Sequence, residues 1–177
     1  MIRLLGLLCA FLVLAGCSAT NGSGSVAVPA VVAPASVTIP KIGAQSTLIP
    51  LGLAADGTLE VPDVKRPGQA GWYTRGVQPG QVGPAVIVGH VDGGGHPGVF
   101  YRLHELAVGD TVQVGRVDGS TLTFHVYRVQ EVRKSAFSSA EVYGNVPRPE
   151  LRLITCGGTW VGGQYGYQDN WVIYAST

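Results

Sequence analysis

The sequence predicts a mainly β domain, built as a barrel of eight strands with short helical turns. First, 26 of the 177 residues are glycine and only 13% are charged, a composition typical of turn-rich β proteins. Second, segments of alternating apolar and polar residues are joined by short connections with turn signals, which favours antiparallel neighbours. Third, about eight such segments can be counted, and a closed barrel is the economical way to pair them.

The charge balance excludes one class of function. The formal net charge is +1, so the chain has neither the basic surface of a nucleic-acid-binding protein nor an acidic shell. We therefore expect no nucleic-acid partner.

Residues 1–16 are predicted to be a secretory signal peptide. A positive residue precedes the apolar run Leu4–Leu14, which is too short for a comfortable transmembrane span. The segment ends in Leu14-Ala15-Gly16-Cys17, which resembles the lipobox of bacterial lipoproteins. We predict that Cys17 is lipidated and holds the protein at the outer face of the cell membrane. An ordinary signal peptide cut near Ala19 and an uncleaved anchor are the alternatives.

The cysteine count bears on function. The chain has three cysteines, Cys9, Cys17 and Cys156. If Cys9 leaves with the signal peptide and Cys17 is lipidated, Cys156 is the only thiol of the mature protein and cannot form an internal disulfide. It is then either deeply buried or kept for its reactivity.

The uncharged segment 17–36 is predicted to be a flexible tether, because Ser, Gly, Ala, Val and Pro without periodicity cannot form a core. The domain then spans residues 37–177. Its first half is predicted to contain the following elements in order: strands Val37–Ile42 and Gln45–Leu53, a turn at Asp56-Gly57, a loop over 63–71, an apolar piece from Trp72-Tyr73, and a buried strand over 83–90 that ends at His90.

The second half of the domain contains the clearest hairpin, Asp110–Arg116 and Thr121–Arg133 around the turn Asp118-Gly119. The other predicted elements are a glycine-rich loop over 93–98, one helical turn within 99–106, a loop with one helical turn over 134–144, the strand 151–156, a glycine-rich aromatic loop over 157–167, and a last strand over 171–175.

Two predicted strands end in chemically active side chains. His90 and Cys156 each stand at the end of a buried strand, and each is followed by glycine-rich sequence. A neighbouring imidazole can take the proton of a thiol or stabilise its thiolate. Because the histidine precedes the cysteine, papain-like and NlpC/P60-like enzymes, which have the cysteine first, are disfavoured.

From about Val37 to Ala175 the sequence resembles the sortases. The resemblance rests on Gly89-His90-Val91-Asp92 joined to Leu151–Gly158, which ends in Thr-Cys-Gly-Gly. Further pieces are similar to the class F branch found in actinobacteria: Trp72-Tyr73, Val99–Leu103 and Tyr167–Asn170.

This resemblance implies an eight-stranded barrel and a cysteine transpeptidase. Such an enzyme cuts a Leu-Pro-x-Thr-Gly-like sorting signal of a secreted protein after threonine, and passes the acyl-thioester on Cys156 to an amine of a cell-wall precursor. His90 would be the general acid for the leaving amine and the base toward the incoming one. We expect an extracytoplasmic monomer without a cofactor.

Sortases also use an arginine to hold substrate and stabilise the oxyanion, typically on the strand after the cysteine. Asn170 occupies that place in this chain. Arg152 would share a face with Cys156 in a regular strand and is the first candidate for this role, ahead of Asn170 and Arg102.

The remaining candidates have weaker support. His96 is the one serious rival to His90, whereas His104 and His125 fit polar surface positions. Asp92 could orient His90 or stabilise a turn. Trp160 and Tyr165 could line a peptide groove or cap the barrel. No residues have the spacing of a zinc or calcium site.

Two other functions stay open from the sequence. One is a lipoprotein that keeps the barrel as a non-catalytic peptide-binding module. The other is an L,D-transpeptidase of peptidoglycan, although Ile154-Thr155 replaces the usual Ser-x-Gly approach to the cysteine of that class.

Overall fold

The computed structural model describes residues 32–162 and 166–177. The predicted signal peptide, Cys17, most of the tether and Tyr165 lie outside the described residues. The described strands are β1 (Pro34–Ile39), β2 (Ala44–Leu51), β3 (Ala70–Tyr73), β4 (Gly83–Gly89), β5 (Asp92–Gly93), β6 (His96–Pro97), β7 (Thr111–Arg116), β8 (Thr121–Arg133), β9 (Pro149–Trp160) and β10 (Tyr167–Ser176).

Eight of these strands form a closed barrel in the order β1-β2-β3-β4-β9-β10-β8-β7, with β7 returning to β1. The pairs β2/β3 and β4/β9 are parallel and the other pairs are antiparallel. Parallel neighbours need long connections, and the connections here are residues 52–69 and 90–148. β5 and β6 form a separate two-stranded hairpin inside the second connection. The predicted eight-stranded barrel is confirmed.

The helical elements are short. They are the 3-10 turns Pro40–Ile42, Leu103–Glu105 and Lys134–Ala136, and the helix α1 (Ser139–Tyr143). No helix among the described residues is long and apolar enough to cross a membrane.

The core has two layers that share β4 and β9. Ile87, Leu153 and Ile173 point into the barrel and are fully buried. On the outer face, a second apolar cluster contains Val88 and Ile154 and is covered by α1. Because β4 is buried on both faces, its sequence is a continuous apolar run instead of an alternating one.

Several predicted boundaries differ from the structure: β3 begins inside the predicted loop 63–71, and β10 begins at Tyr167 instead of residue 171. β1 begins at Pro34, within the segment predicted to be tether. Residues 157–160, predicted to be loop, continue β9, because Gly157 pairs with Asp169 of β10. Glycine is needed there for space and not for a turn: a Cβ on Gly157 would lie 2.4 Å from the Trp171 ring. The register shifts beside Gly158, which has φ +72°.

Candidate active site

The register of β4 and β9 brings His90 and Cys156 to the same place. The two strands are parallel neighbours with Val88 opposite Ile154. The paired positions end there, and the same register continued by two residues would bring His90, which directly follows β4, opposite Cys156. Since side chains alternate along a strand, both residues follow the outer-face positions of Val88 and Ile154. His90 and Cys156 line one cavity of about 890 Å³.

The imidazole of His90 is fixed by the backbone. Its Nε2 lies 2.6 Å from the carbonyl oxygen of Pro62, in the loop between β2 and β3. A carbonyl can only accept, so Nε2 carries the hydrogen and Nδ1 is left for proton transfer. The sequence gives no signal for this contact, because Pro62 is far from His90 in the chain.

Cys156 is half-buried and is the free thiol of the described residues. The three preceding residues of β9 are buried, and the following residues of the strand become exposed at Gly158. A rigid strand therefore holds the thiol while one side opens to the cavity.

The hairpin β5/β6 and the start of β10 are joined beside Cys156. Tyr167 Oη donates a hydrogen bond to the Asp92 carboxylate, which raises the pKa of Tyr167 to about 12. The Trp160 ring packs on Tyr167, with 5.0 Å between ring centroids. Asp92, Trp160 and Tyr167 all line the cavity, as does the exposed His96 of β6. Asp92 thus bonds across the cavity to Tyr167.

Lys134 is a cation on the wall of the same cavity. It directly follows β8, whose residue Val132 lies opposite Asn170, which in turn lies opposite Cys156. Among the described residues Lys134 forms no ion pair. Sequence reasoning missed Lys134, because its place depends on two strand registers that join distant segments.

A second cavity of about 510 Å³ adjoins the first. Four residues line both cavities: Val91, Tyr101, Cys156 and Tyr167. The residues that line only the second cavity come from the segment 99–106 and from β9 and β10. Among them are Glu105, Thr155 and Trp171.

The structure does not bring Arg152 to these cavities. Its side chain is 2% exposed and pairs with Glu150 at 2.7 Å, and its guanidinium lies 4.4 Å from the centroid of the Tyr174 ring. Burial alone would raise the pKa of Glu150, but hydrogen bonds from Tyr127, Arg152 and Arg148 hold that pKa below its ordinary value. Arg152 lies on the same outer face as Cys156, two residues before Ile154 in β9. Its ion pair with Glu150 holds the guanidinium away from the cavities.

The two alternatives to Arg152 lie in different places. Asn170 is directly opposite Cys156 on β10, and such antiparallel partners have Cβ atoms about 5 Å apart on one face. Arg102 bonds both carboxylate oxygens of Glu105 and the Ile42 carbonyl. It lines a smaller cavity of about 240 Å³ that does not contain Cys156.

The other histidines are also placed. His104 lies on the wall of the second cavity, with its ring 6.0 Å from that of Trp171. His125 is an exposed residue of β8. Within 32–162 and 166–177, no group of three acidic, histidine or cysteine side chains could hold a metal ion.

Comparison with known structures shows a shared fold at low sequence identity. Sortase A from Corynebacterium diphtheriae is 19% identical with a TM-score of 0.64, over 81% of this chain and 60% of that one. Sortase C-1 from Actinomyces oris is 22% identical with a TM-score of 0.61, over 80% and 72%. Sortase C-1 from Streptococcus pneumoniae is 20% identical with a TM-score of 0.60, over 80% and 65%. The chain thus covers less than two thirds of some of these structures.

The sequence itself was compared with curated proteins and with family models. No match was found among the curated proteins. The model of the sortase domain matches residues 37–177, which is most of the chain and nearly all of the described barrel. The chain therefore belongs to the sortase family.

Proposed function

We propose that the protein is a class F-like cysteine transpeptidase that cleaves an LPxTG-like sorting signal after threonine and transfers the acyl group to a cell-wall amine. The observation that carries the proposal is that His90, directly after β4, and Cys156, within the adjacent parallel strand β9, line one cavity. Membership of the sortase family supports the same reaction class.

In the proposed reaction Cys156 Sγ attacks the threonine carbonyl carbon, and His90 takes the thiol proton. The C–N bond breaks, His90 returns the proton to the leaving amine, and an acyl-thioester remains on Cys156. An incoming amine then attacks the same carbon, its proton passes through His90, and the thiol is regenerated.

The oxyanion of each tetrahedral intermediate needs donors or positive charge nearby. Asn170 can supply an amide N–H from the position opposite Cys156. Lys134 can supply the charge from the cavity wall. We assign these two residues the role for which Arg152 was the first candidate, because the guanidinium of Arg152 is paired with Glu150.

The proposal includes the domain organisation predicted from the sequence. A signal peptide over 1–16, a lipid on Cys17 and a tether to residue 36 would hold the barrel outside the membrane, where secreted substrates and cell-wall precursors meet. Fractionation of cells expressing the full chain or its Cys17→Ala variant checks the anchor, since loss of the lipid should move the protein from the membrane to the medium.

The experiment that tests the reaction uses the full chain and a fluorogenic peptide containing Leu-Pro-x-Thr-Gly. We expect Cys156→Ala to abolish cleavage while the protein stays folded, because the proposed thioester forms on the Cys156 Sγ. The matched control is His125→Ala, which removes an exposed histidine far from the cavity and should retain cleavage. Mass spectrometry of the wild type should show an acyl adduct on Cys156.

Two results would contradict the proposal. Cleavage by Cys156→Ala at the wild-type rate would exclude Cys156 as the nucleophile. Binding of the peptide without cleavage, and without labelling of Cys156 by a thiol-reactive sorting-signal mimic, would favour the peptide-binding lipoprotein. That second candidate function rests on a specific observation. Among the described residues, no arginine lines either of the two cavities that contain Cys156.

A further inference from the structure

Cys156 separates two cavities that differ in chemistry. A transpeptidase must bring two substrates to one thioester carbon, the acyl donor first and the amine second. The larger cavity contains His90, Lys134 and the exposed His96. The smaller one shares Cys156 and Tyr167 with the larger one, and its volume is within the range of small-ligand sites.

The smaller cavity favours a cation. Glu105 lines it, and the hydrogen bond and charge of Arg102 hold the pKa of Glu105 below its ordinary value. Glu105 is therefore a carboxylate at neutral pH. Its partner Arg102 does not appear on this wall and lines a different cavity. Lys134 lines only the larger cavity, where it would repel a second positive charge.

Besides Glu105 and the imidazole of His104, the wall contains four aromatic rings: Phe100, Tyr101, Tyr167 and Trp171. The faces of such rings attract ammonium groups, and the attraction grows when the cation loses water. The carboxylate and the rings together suit an alkylammonium group better than an anionic or a neutral polar ligand.

A buried hydroxyl group at the same wall has no partner. Thr155 is 4% exposed, and within the described residues its Oγ1 accepts and donates no hydrogen bond. Buried hydroxyls are normally paired, because an unpaired one costs free energy. Since Thr155 precedes Cys156 and lines the cavity, a polar group of a bound ligand can satisfy it.

Resting on the proposed function, we propose that the smaller cavity binds the acceptor as a diamine. One amino group, uncharged, attacks the thioester carbon: the C–N bond forms, the C–S bond breaks, and the amine proton passes through His90 to the thiolate. The second amino group stays protonated and lies between the aromatic rings and the Glu105 carboxylate. The acceptor is thus a primary amine that carries a second cationic amino group, such as a diamino acid side chain.

The test uses 1,5-diaminopentane and 1-aminopentane as probes with the full chain. Transfer of a cleaved peptide to the diamine should have about tenfold higher kcat/KM than transfer to the monoamine, which corresponds to about 1.4 kcal/mol. Glu105→Gln should remove this preference. Arg102→Gln should increase it, because the Glu105 carboxylate then loses the guanidinium that competes with the probe. The matched control is Glu141→Gln, which breaks a similar exposed pair with Arg128 far from both cavities and should change nothing.

A binding measurement separates this inference from the proposed reaction. Calorimetric titration with 1,5-diaminopentane needs no catalysis, and its affinity should fall in Glu105→Gln. Equal preference for the two probes, or a Glu105→Gln variant that binds and uses the diamine like the wild type, would overturn the inference even if the peptide is cleaved. Diamine binding that depends on Glu105 in a protein that never cleaves the peptide would support the cavity and overturn the proposed reaction.

Discussion

The polar side chains in the two halves of β9 differ in their burial and in their bonding partners. In the first half, Glu150 and Arg152 are almost fully buried and bond to each other, to Tyr127, and to the face of Tyr174. In the second half, the thiol of Cys156 is half-buried and the hydroxyl of Thr155 has no partner among the described residues. The first half of the strand thus carries a buried ion pair, in which Arg152 Nε alone lacks a hydrogen-bond partner among the described residues, whereas the second half carries a thiol and a hydroxyl without an ionic partner.

This difference separates structural from reactive chemistry. A buried charge that is already paired with protein groups is poorly available to bind a substrate. A buried hydroxyl or a half-open thiol without partners costs stability and is available to a ligand. For this reason we assign Arg152 a structural role and Cys156 a chemical role, although both residues lie on the outer face of the strand.

The largest expected effect is on the buried Glu150–Arg152 pair in the first half of β9. Glu150→Gln leaves the Arg152 guanidinium buried without its ionic partner, and loss of one member of a buried pair costs about 3–5 kcal/mol. Urea unfolding of the variant and the wild type measures the loss. The pKa of Glu150 is lowered in the fold, so its contribution is present above the ordinary value of 4.5 and is lost as the pH falls through the folded pKa. The variant should lack this part of the acid dependence.

The control replaces the pair instead of breaking it. Leucine at both Glu150 and Arg152 should recover most of the stability, because a well-packed apolar pair is often as stable as a buried ion pair. A folded Arg152→Met variant should keep its kcat/KM within about threefold. If that variant is stable yet loses the reaction, Arg152 belongs to the active site and the contrast fails.

A smaller effect is expected at the cavity wall. Lys134→Ala removes the positive charge on the Cys156 cavity, and we expect kcat/KM for peptide cleavage to fall about tenfold, or about 1.4 kcal/mol. Steady-state kinetics at low ionic strength is the measurement, and Lys134→Arg should restore most of the rate.

Arg133→Ala is the matched control for Lys134. Arg133 is the preceding residue, is also exposed, and lines neither of the two Cys156 cavities. It should leave cleavage nearly unchanged. Equal losses in the two variants would mean that general surface charge, and not a charge placed on the cavity, assists the reaction.

The barrel could be predicted because its signals are local. Alternation over Thr121–Arg133 and the Asp118-Gly119 turn predicted the β7/β8 hairpin, which the structure confirms. The end of β4 just before His90 was also visible, but the prediction that Cys156 ends its strand is wrong, because β9 continues to Trp160. Their catalytic roles stay predictions.

The features that sequence reasoning missed depend on contacts between distant segments. The register of β4 and β9 is set across a connection of almost sixty residues, so the alignment of His90 with Cys156 has no local signal. Lys134 and Glu105 reach the cavities from two further segments. The pair Gly157-Gly158 suggested a loop, because a glycine needed for space beside Trp171 cannot be told from a turn glycine in the sequence.

The smallest expected effect is on the unsatisfied half of β9. Thr155→Val keeps the β-branched shape and removes the unpaired hydroxyl, so the free energy of unfolding should rise by about 1 kcal/mol. Thermal unfolding checks this against Thr123→Val, an exposed position of β8 where the hydroxyl is solvated and the change should be near zero. The stabilised variant should also use the diamine acceptor less well, because the ligand loses a polar partner. A Thr155→Val variant less stable than the wild type would mean that the hydroxyl already has a partner in the resting protein, and the two halves of β9 would then no longer differ in this respect.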